Sequence, residues 1–393
     1  MKKKLCILTA ASALSLGTSV NAQGLLSIGR HDEFATKMPF TWAVGLGAGW
    51  DSNVNQASYD EKDSAFLTAS LQANYNTGDR RTSYAVGASY SPRFYFDAPP
   101  GTEEYQHSAN LNFSLQHRIN PRMTLNDNLY FAYEFEPNFE IGAAGARRAD
   151  PYLYGSNSTS LAYSWTRRFS TVTSYTFSGI DYQDNERAES QNYYQHLISE
   201  EFRYAFTKTT TAALTYRYAI AEYDDGYGDY TSHYLLTGLD HSFSRKTYGS
   251  FRVGAEFRDR DNGGDATNPY FEGTFTHSVA KNTTINWFGR LGFDDSDVSG
   301  SSERYSFRTG LSARQQFTAR LAGNLGLNYV HDEYDFSDGS YNNDIVAVVV
   351  GLDYQFYRNL ILNAGYSFTT CSSDNDFSEY DRHTVSVGVT ARF

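Results

Sequence analysis

Cysteine, proline and methionine are scarce in this chain: two, eight and three respectively among 393 residues. Cys6 lies inside an amino-terminal apolar stretch. Once that stretch is removed only Cys371 remains, no intramolecular disulfide can form, and a lone structural thiol is the expected state. Also missing beyond residue 22 is any run of about 18 consecutive apolar residues, so no membrane-spanning helix is expected. Lys and Arg number 33 against 45 Asp and Glu, and the net charge of −12 excludes the basic patches that hold nucleic acid. Nothing marks a domain boundary, and strand-length apolar runs such as Ile345 to Val350 are exceptional. A soluble β-sandwich of this length needs such segments.

What the chain has instead is aromatic residues, 32 Tyr and 27 Phe, and a hydrophobic share of 40% dispersed one residue at a time. Between Gly249 and Phe257, Phe251, Val253, Ala255 and Phe257 alternate with Ser250, Arg252, Gly254 and Glu256. From Thr283 to Phe293 the outward set is Thr283, Ile285, Trp287, Gly289, Leu291 and Phe293, with Asn286 and Arg290 inward. Leu111, Phe113, Leu115 and Leu360, Leu362, Ala364, Tyr366, Phe368 repeat the pattern. A period of two puts one set on each face of a strand. The apolar set is assigned to lipid, because the reverse would place Arg252 and Arg290 in hydrocarbon at ~2–4 kcal/mol each near the midplane. Asp127 and the pair Glu200-Glu201 break the pattern, and interface placement or a bulge is expected to accommodate them.

Short turns carrying a basic residue recur at Asp79-Arg80-Arg81, Pro121-Arg122, Arg167-Arg168, Lys208, Arg245-Lys246, Lys281, Arg320 and Arg358. Between them lie longer segments rich in Asp, Gly, Asn and Ser, which hold most of the carboxylates. Eight turns separate nine hairpins. The expectation is therefore eighteen strands, with sixteen the alternative, and both chain ends on the short-turn side. Acidic loops at one end mean solubility and mutual repulsion, or attraction of cations to a pore mouth.

The fold class expected is all-β, a transmembrane antiparallel up-and-down β-barrel. Met1 to Ala22 reads as a signal peptide: Lys2, Lys3 and Lys4, then a mostly apolar core from Leu5 to Leu16, then Val20-Asn21-Ala22 at the cleavage site. Residues 23–39 form a periplasmic segment and 40–393 the barrel. Pore-lining candidates on the inward set are Arg203, Arg217, Arg252, Glu256, Arg258, Glu272, Arg290, Arg308 and Arg314. Mutual pairing is the expected state for most of them, with Arg252, Arg290 and Arg308 the candidates for a constriction. The loop from Glu136 to Asp150 contains Gly142-Ala143-Ala144-Gly145-Ala146 and is either an inward-folding constriction or an ordinary surface loop. Asp294-Asp295-Ser296-Asp297 and Asp332-Glu333-Tyr334-Asp335 look like loose calcium ligands without the spacing of a calcium loop, so no metal and no cofactor is expected. Asp240-His241 and His107-Ser108 are adjacent pairs whose side chains leave opposite faces of a strand, and no catalytic triad can be assembled.

The closing stretch Val385-Ser386-Val387-Gly388-Val389-Thr390-Ala391-Arg392-Phe393 resembles the last strand of bacterial outer-membrane barrels, whose final aromatic is read by the insertion machinery. Near the other end, Gly47-Ala48-Gly49-Trp50-Asp51-Ser52-Asn53-Val54 is similar to the opening of the porin family called putative beta-barrel porin 2. The resemblance runs over roughly Phe40 to Phe393. It implies an outer-membrane location and passage of small hydrophilic solutes, and some similar barrels accompany exopolysaccharide production. A non-conducting surface-binding or structural barrel is the second reading. Partners implied are outer-membrane lipid, lipopolysaccharide, the barrel-assembly machinery and small solutes or ions. The resemblance brings no catalytic residues, and Asp51-Ser52-Asn53 reads from its chemistry as a loop start.

Overall fold

Alternating side chains yield strands here because each strand then offers one face to hydrocarbon and one to water, while its backbone groups bond to neighbours. The structure is a computed structural model describing residues 39–99, 103–136, 138, 151–183, 191–224, 228–261, 264–280, 282–294, 301, 303–336, 339–376 and 378–393. Signal segment 1–22, the tract Gly142–Ala146, Lys281, Asp295 and Asp297 lie outside the described residues.

Eighteen strands form. In chain order they are β1 (Phe40–Asp51), β2 (Ser64–Gly78), β3 (Thr82–Tyr95), β4 (Tyr105–Asn120), β5 (Met123–Glu134), β6 (Tyr152–Ser164), β7 (Phe169–Tyr182), β8 (Tyr193–Ala205) and β9 (Thr210–Tyr223). They continue with β10 (Tyr230–Ser244), β11 (Thr247–Arg260), β12 (Ala266–Ala280), β13 (Thr283–Asp294), β14 (Glu303–Gln316), β15 (Leu321–Phe336), β16 (Gly339–Gln355), β17 (Leu360–Ser373) and β18 (Tyr380–Arg392). Each pairs antiparallel with its chain neighbours, and β1 pairs with β18 from Ala43↔Arg392 to Asp51↔Thr384. Closure leaves no sheet edge with unpaired backbone groups. At the seam the Trp42 amide donates to the Phe393 carbonyl at 3.0 Å and the Phe393 amide to the Trp42 carbonyl at 2.9 Å. Their rings stack 4.3 Å apart.

The seven basic turns among the described residues fall between strands at one end of the barrel, as the spacing predicts. On the other side one connection is not long: β15 and β16 remain paired up to Phe336↔Gly339, so the hairpin ladder absorbs residues expected in a loop.

The two faces of the wall differ sharply. Leu46 is 67% exposed and Val387 59%, whereas Arg252, between the exposed Phe251 and Val253, is only 4% exposed. Ion pairs that skip strands, such as β8 to β11, can be made only across the concave side, so the polar set faces the lumen. One alternation-based assignment fails. Phe293 is 1% exposed, with the Arg258 guanidinium 4.7 Å from its ring centre. The β12–β13 ladder ends at Phe271↔Leu291, so Gly292 to Asp294 are no longer held to the pleat against β12. Asp127 and Glu200 do lie on the outer face. Neither sits at a bulge, since the registers through Asp127↔Thr159 and Thr173↔Glu200 are unbroken.

Candidate functional site

Inward-facing charges gather in three groups. The first is at the short-turn half of β8 to β11. Arg203 donates from Nε to Glu201 at 2.5 Å and from Nη2 to Asp240 at 3.2 Å. Arg252 donates from Nε to Glu201 at 2.9 Å and from Nη1 to Asp240 at 2.9 Å. Thr215 and Ser250 hydroxyls donate to the same two carboxylates. Strand parity is the reason for the convergence: Glu201 and Arg203 on β8, Asp240 on β10 and Arg252 on β11 all occupy inward positions, with Thr215 of β9 between them.

A second, larger group lines the long-loop half of β9 to β15. Arg217 grips Glu272 with both Nη atoms, at 2.9 and 2.5 Å, and the Tyr270 hydroxyl donates to Glu272 at 2.8 Å. Glu256 accepts from Ser232 and Tyr234 hydroxyls at 2.8 Å each and from Arg258 Nη2 at 2.9 Å. Arg258 also lies 3.8 Å from the Tyr230 ring centre. Arg290 and Arg308 both bind Asp294, the latter at 3.1 Å. Arg304 stands 4.0 Å from Asp294 and 3.9 Å from Asp332. Between these side chains is a cavity of about 170 Å³, walled by Arg217, Arg258, Arg290 and Arg304 together with Tyr154, Tyr193, Tyr230, Tyr234 and Tyr270. Paired guanidinium groups hold their geometry rigidly and contribute little net field.

The third group closes the seam on the long-loop side. Arg382 donates from Nη2 to Asp51 at 2.5 Å and from Nη1 to Glu136 at 2.6 Å. Tyr95 donates its hydroxyl to Asp51 at 3.1 Å, and Arg93 reaches Glu136 at 3.3 Å. Glu136 follows β5, so its bonds to β3 and β18 draw the start of the β5–β6 connection over the lumen. Asp51 is 0% exposed. It also accepts the Asn53 amide at 3.2 Å, while Asn53 accepts the Ala57 amide at 3.0 Å. The expected Asx loop start is therefore present, and Asp51 is in addition an ion-pair anchor.

Of the sequence-derived candidates, Arg203 and Arg252 meet in the first group, and Arg217, Glu256, Arg258, Glu272, Arg290 and Arg308 in the second. Arg314 stands apart near the short-turn end of β14, where Asp353 and Arg392 share its surroundings. Asp51 reads from sequence as a loop start and Asp294 and Asp332 as loose calcium ligands, and Arg304 and Arg382 carry no assignment. Extending strand parity past the apolar residues would have found them: Arg304 is in phase with Arg308, and Arg382 with Thr384. Asp294 is held by arginines, and Asp332 is buried while its neighbour Glu333 is exposed.

The eight described histidines all face outward. Three near the short turns accept or donate to threonine hydroxyls: His117 to Thr82 at 2.8 Å, His241 to Thr210 at 2.9 Å and His277 to Thr247 at 2.8 Å. Near the loops, His196, His233 and His383 bond Tyr175, Tyr216 and Tyr366 at 2.7 to 2.8 Å. His331 bonds Asp344 at 2.9 Å, and His107 stacks on Tyr133. His241 and Asp240 point to opposite sides of the wall, as do His107 and Ser108, so neither pair can act together. These aromatic and imidazole rings form the two interfacial belts of a membrane-spanning barrel.

Among solved structures the chain is similar to OpdK of Pseudomonas aeruginosa with vanillate, at 10% identity and TM-score 0.46, covering 90% of this chain and 99% of that one. It is similar to a BenF-like porin from Pseudomonas fluorescens Pf-5, at 12% identity and TM-score 0.47 over 90% and 98% of the two chains. A third is OccK2 (OpdF) of Pseudomonas aeruginosa with glucuronate, at 11% identity, TM-score 0.47, and 90% and 98% coverage. No curated protein matches the chain. The family model described as putative beta-barrel porin 2 matches residues 40–393, all eighteen strands, and the chain is a member of that family.

Proposed function

We propose that the protein stands in the bacterial outer membrane as a passive channel for small hydrophilic solutes, with no catalytic step and no coupling to an energy source. The observation that carries this is the wall itself. An apolar outer surface encloses a polar inner one, and inward residues of the short-turn half, Gln116, Arg118, Thr274 and Thr276, remain open to water. Membership of a porin family supports the same reading. Arg203, Arg217, Arg252, Glu256, Arg258, Glu272, Arg290, Arg308 and Arg314 are assigned to the pore lining. The narrow level is assigned to the tyrosine–arginine group of β9 to β15, where Arg217 of β9 bridges across to Glu272 of β12. Met1–Ala22 serves export, Phe393 serves insertion by the assembly machinery, and the acidic loops meet cations at the lipopolysaccharide surface.

The test is current through a planar bilayer after refolding the chain without residues 1–22. Stable, ohmic single-channel steps are expected. A folded barrel that never conducts would overturn the channel reading and leave a structural or binding barrel, to which the bridging of Glu136 over the lumen would then belong.

A further inference from the structure

Cations in the lumen and cations on the short turns are treated differently. Arg203, Arg217, Arg252 and Arg258 are tied to carboxylates. On the seven described short turns Arg80, Arg81, Arg122, Arg167, Arg168, Lys208, Arg245, Lys246, Arg320 and Arg358 are all exposed, and among the described residues none has an ion-pair partner. Five of these turns repeat one local design. Ile119, Trp165, Phe206, Phe243 and Phe317 stand at the strand ends and are 45 to 60% exposed. The next residue, Asn120, Thr166, Thr207, Ser244 or Thr318, accepts the backbone amide two positions further on, at 2.8 to 3.2 Å. Such caps fix a tight turn from a short polar side chain. Each turn then carries a cation two or three positions after its apolar residue.

An exposed apolar anchor followed by an unanswered cation suits the level where hydrocarbon gives way to headgroups. We propose that the short-turn rim is a binding surface for the phosphates of anionic phospholipid in the leaflet it touches. This rests on the barrel standing in a membrane with its short turns on the periplasmic side. The apolar anchors enter the acyl region, and the guanidinium and ammonium groups beside them donate to phosphate oxygens. A zwitterionic lipid neutralises its own phosphate, so the anionic headgroup is the one that these cations favour. A soluble polyanion or an acidic protein would be served by cations gathered on one side. Here they lie between β2 and β3, β4 and β5, β6 and β7, β8 and β9, β10 and β11, β14 and β15, and β16 and β17, spread around the closed sheet. An annulus of lipid meets all of these turns at once. The chain as a whole is acidic, with a net charge of −12, so placement and not total charge sets the preference.

The barrel would be refolded into phosphatidylcholine vesicles holding a trace of spin-labelled phosphatidylglycerol or phosphatidylcholine, and spin resonance would read the lipid immobilised at its wall. Phosphatidylglycerol is expected to be preferred about fivefold, the effect of one cation near an anionic surface. The preference should shrink in 1 M salt. Replacing Arg167, Arg168, Arg245, Lys246, Arg320 and Arg358 together by Gln should bring it close to parity while single-channel current persists. If that variant shows no heat-modifiable migration, Arg167→Gln with Arg168→Gln, and separately Arg245→Gln with Lys246→Gln, should each remove part of the preference. Parity in the unsubstituted barrel, or a preference that survives every substitution, would overturn the lipid site and leave the channel reading untouched. Loss of the preference on adding inorganic phosphate at constant ionic strength would make the rim a site for the free ion and also overturn it. If neither lipid is immobilised, the membrane placement falls together with the site.

Discussion

The lumenal charges are coupled tightly enough that single substitutions should be worse than multiple ones. Arg252 shares Glu201 and Asp240 with Arg203. Arg252→Met would leave two buried carboxylates with one guanidinium, a loss of ~3–5 kcal/mol by the behaviour of broken buried pairs. Unfolding in urea from lipid vesicles should show a lowered midpoint, and adding Glu201→Gln and Asp240→Asn should restore most of it. A milder residue-scale effect belongs to the first short turn, outside the membrane-spanning strands. Asp79 accepts the Thr82 and Arg81 amides at 2.7 Å each. These bonds, that from Thr82 first, hold its carboxyl below the ordinary value. A carboxylate lowered on folding stabilises above its unfolded value and loses that effect as pH falls through the folded one. Amide exchange at Arg81 and Thr82 should therefore accelerate below about pH 4, and Asp79→Asn should remove the pH dependence.

At the scale of the strand pair, β10 and β11 approach so closely that side chains are excluded at one point. A Cβ on Gly254 would lie 1.9 Å from the Leu235 carbonyl oxygen, and one on Gly238 would lie 2.6 Å from the Arg252 Cδ. Gly254→Val is expected to cost about 1–3 kcal/mol by overpacking, whereas the outward Val253→Leu should stay within about 0.5 kcal/mol. Refolding yield into vesicles, read by the shift between heated and unheated migration, separates the two. At the seam, Trp42→Ala removes the ring stacked on Phe393 and should lower stability by ~1 kcal/mol. The backbone pair between residues 42 and 393 would remain.

For the molecule as a whole, the sign of ion selectivity follows from which charges are already answered. The lumenal arginines are largely paired with carboxylates, whereas loop residues such as Asp97, Glu104, Asp265 and Asp376 stand near the rim of the barrel. A weak cation preference is therefore expected at low salt. The Debye length falls from ~10 Å at 0.1 M to ~3 Å at 1 M, so the reversal potential should fade as salt rises. An anion preference that survives 1 M salt would instead assign selectivity to the second charge group around Arg217, Arg258 and Arg290.

Strand alternation, eight basic turns and the even strand count were legible from residue order, because period-two patterning and turn chemistry are local properties. So was the inward parity of Arg203, Arg217, Arg252, Arg258, Arg290 and Arg308. What residue order could not decide is which inward charges meet. Glu201 with Arg252, and Arg382 with Asp51 and Glu136, depend on strand stagger and ring closure, which join positions up to 331 residues apart. Phe293 lies under the Arg258 guanidinium where only the β12 side of its ladder has ended, a tertiary contact invisible to its own segment. The polar band at Asp127 and Glu200 looked like two separate faults in the pattern. Only the pairing of β5 through β8 makes them one surface, because side chains 73 positions apart in the chain become neighbours when the intervening strands lie side by side.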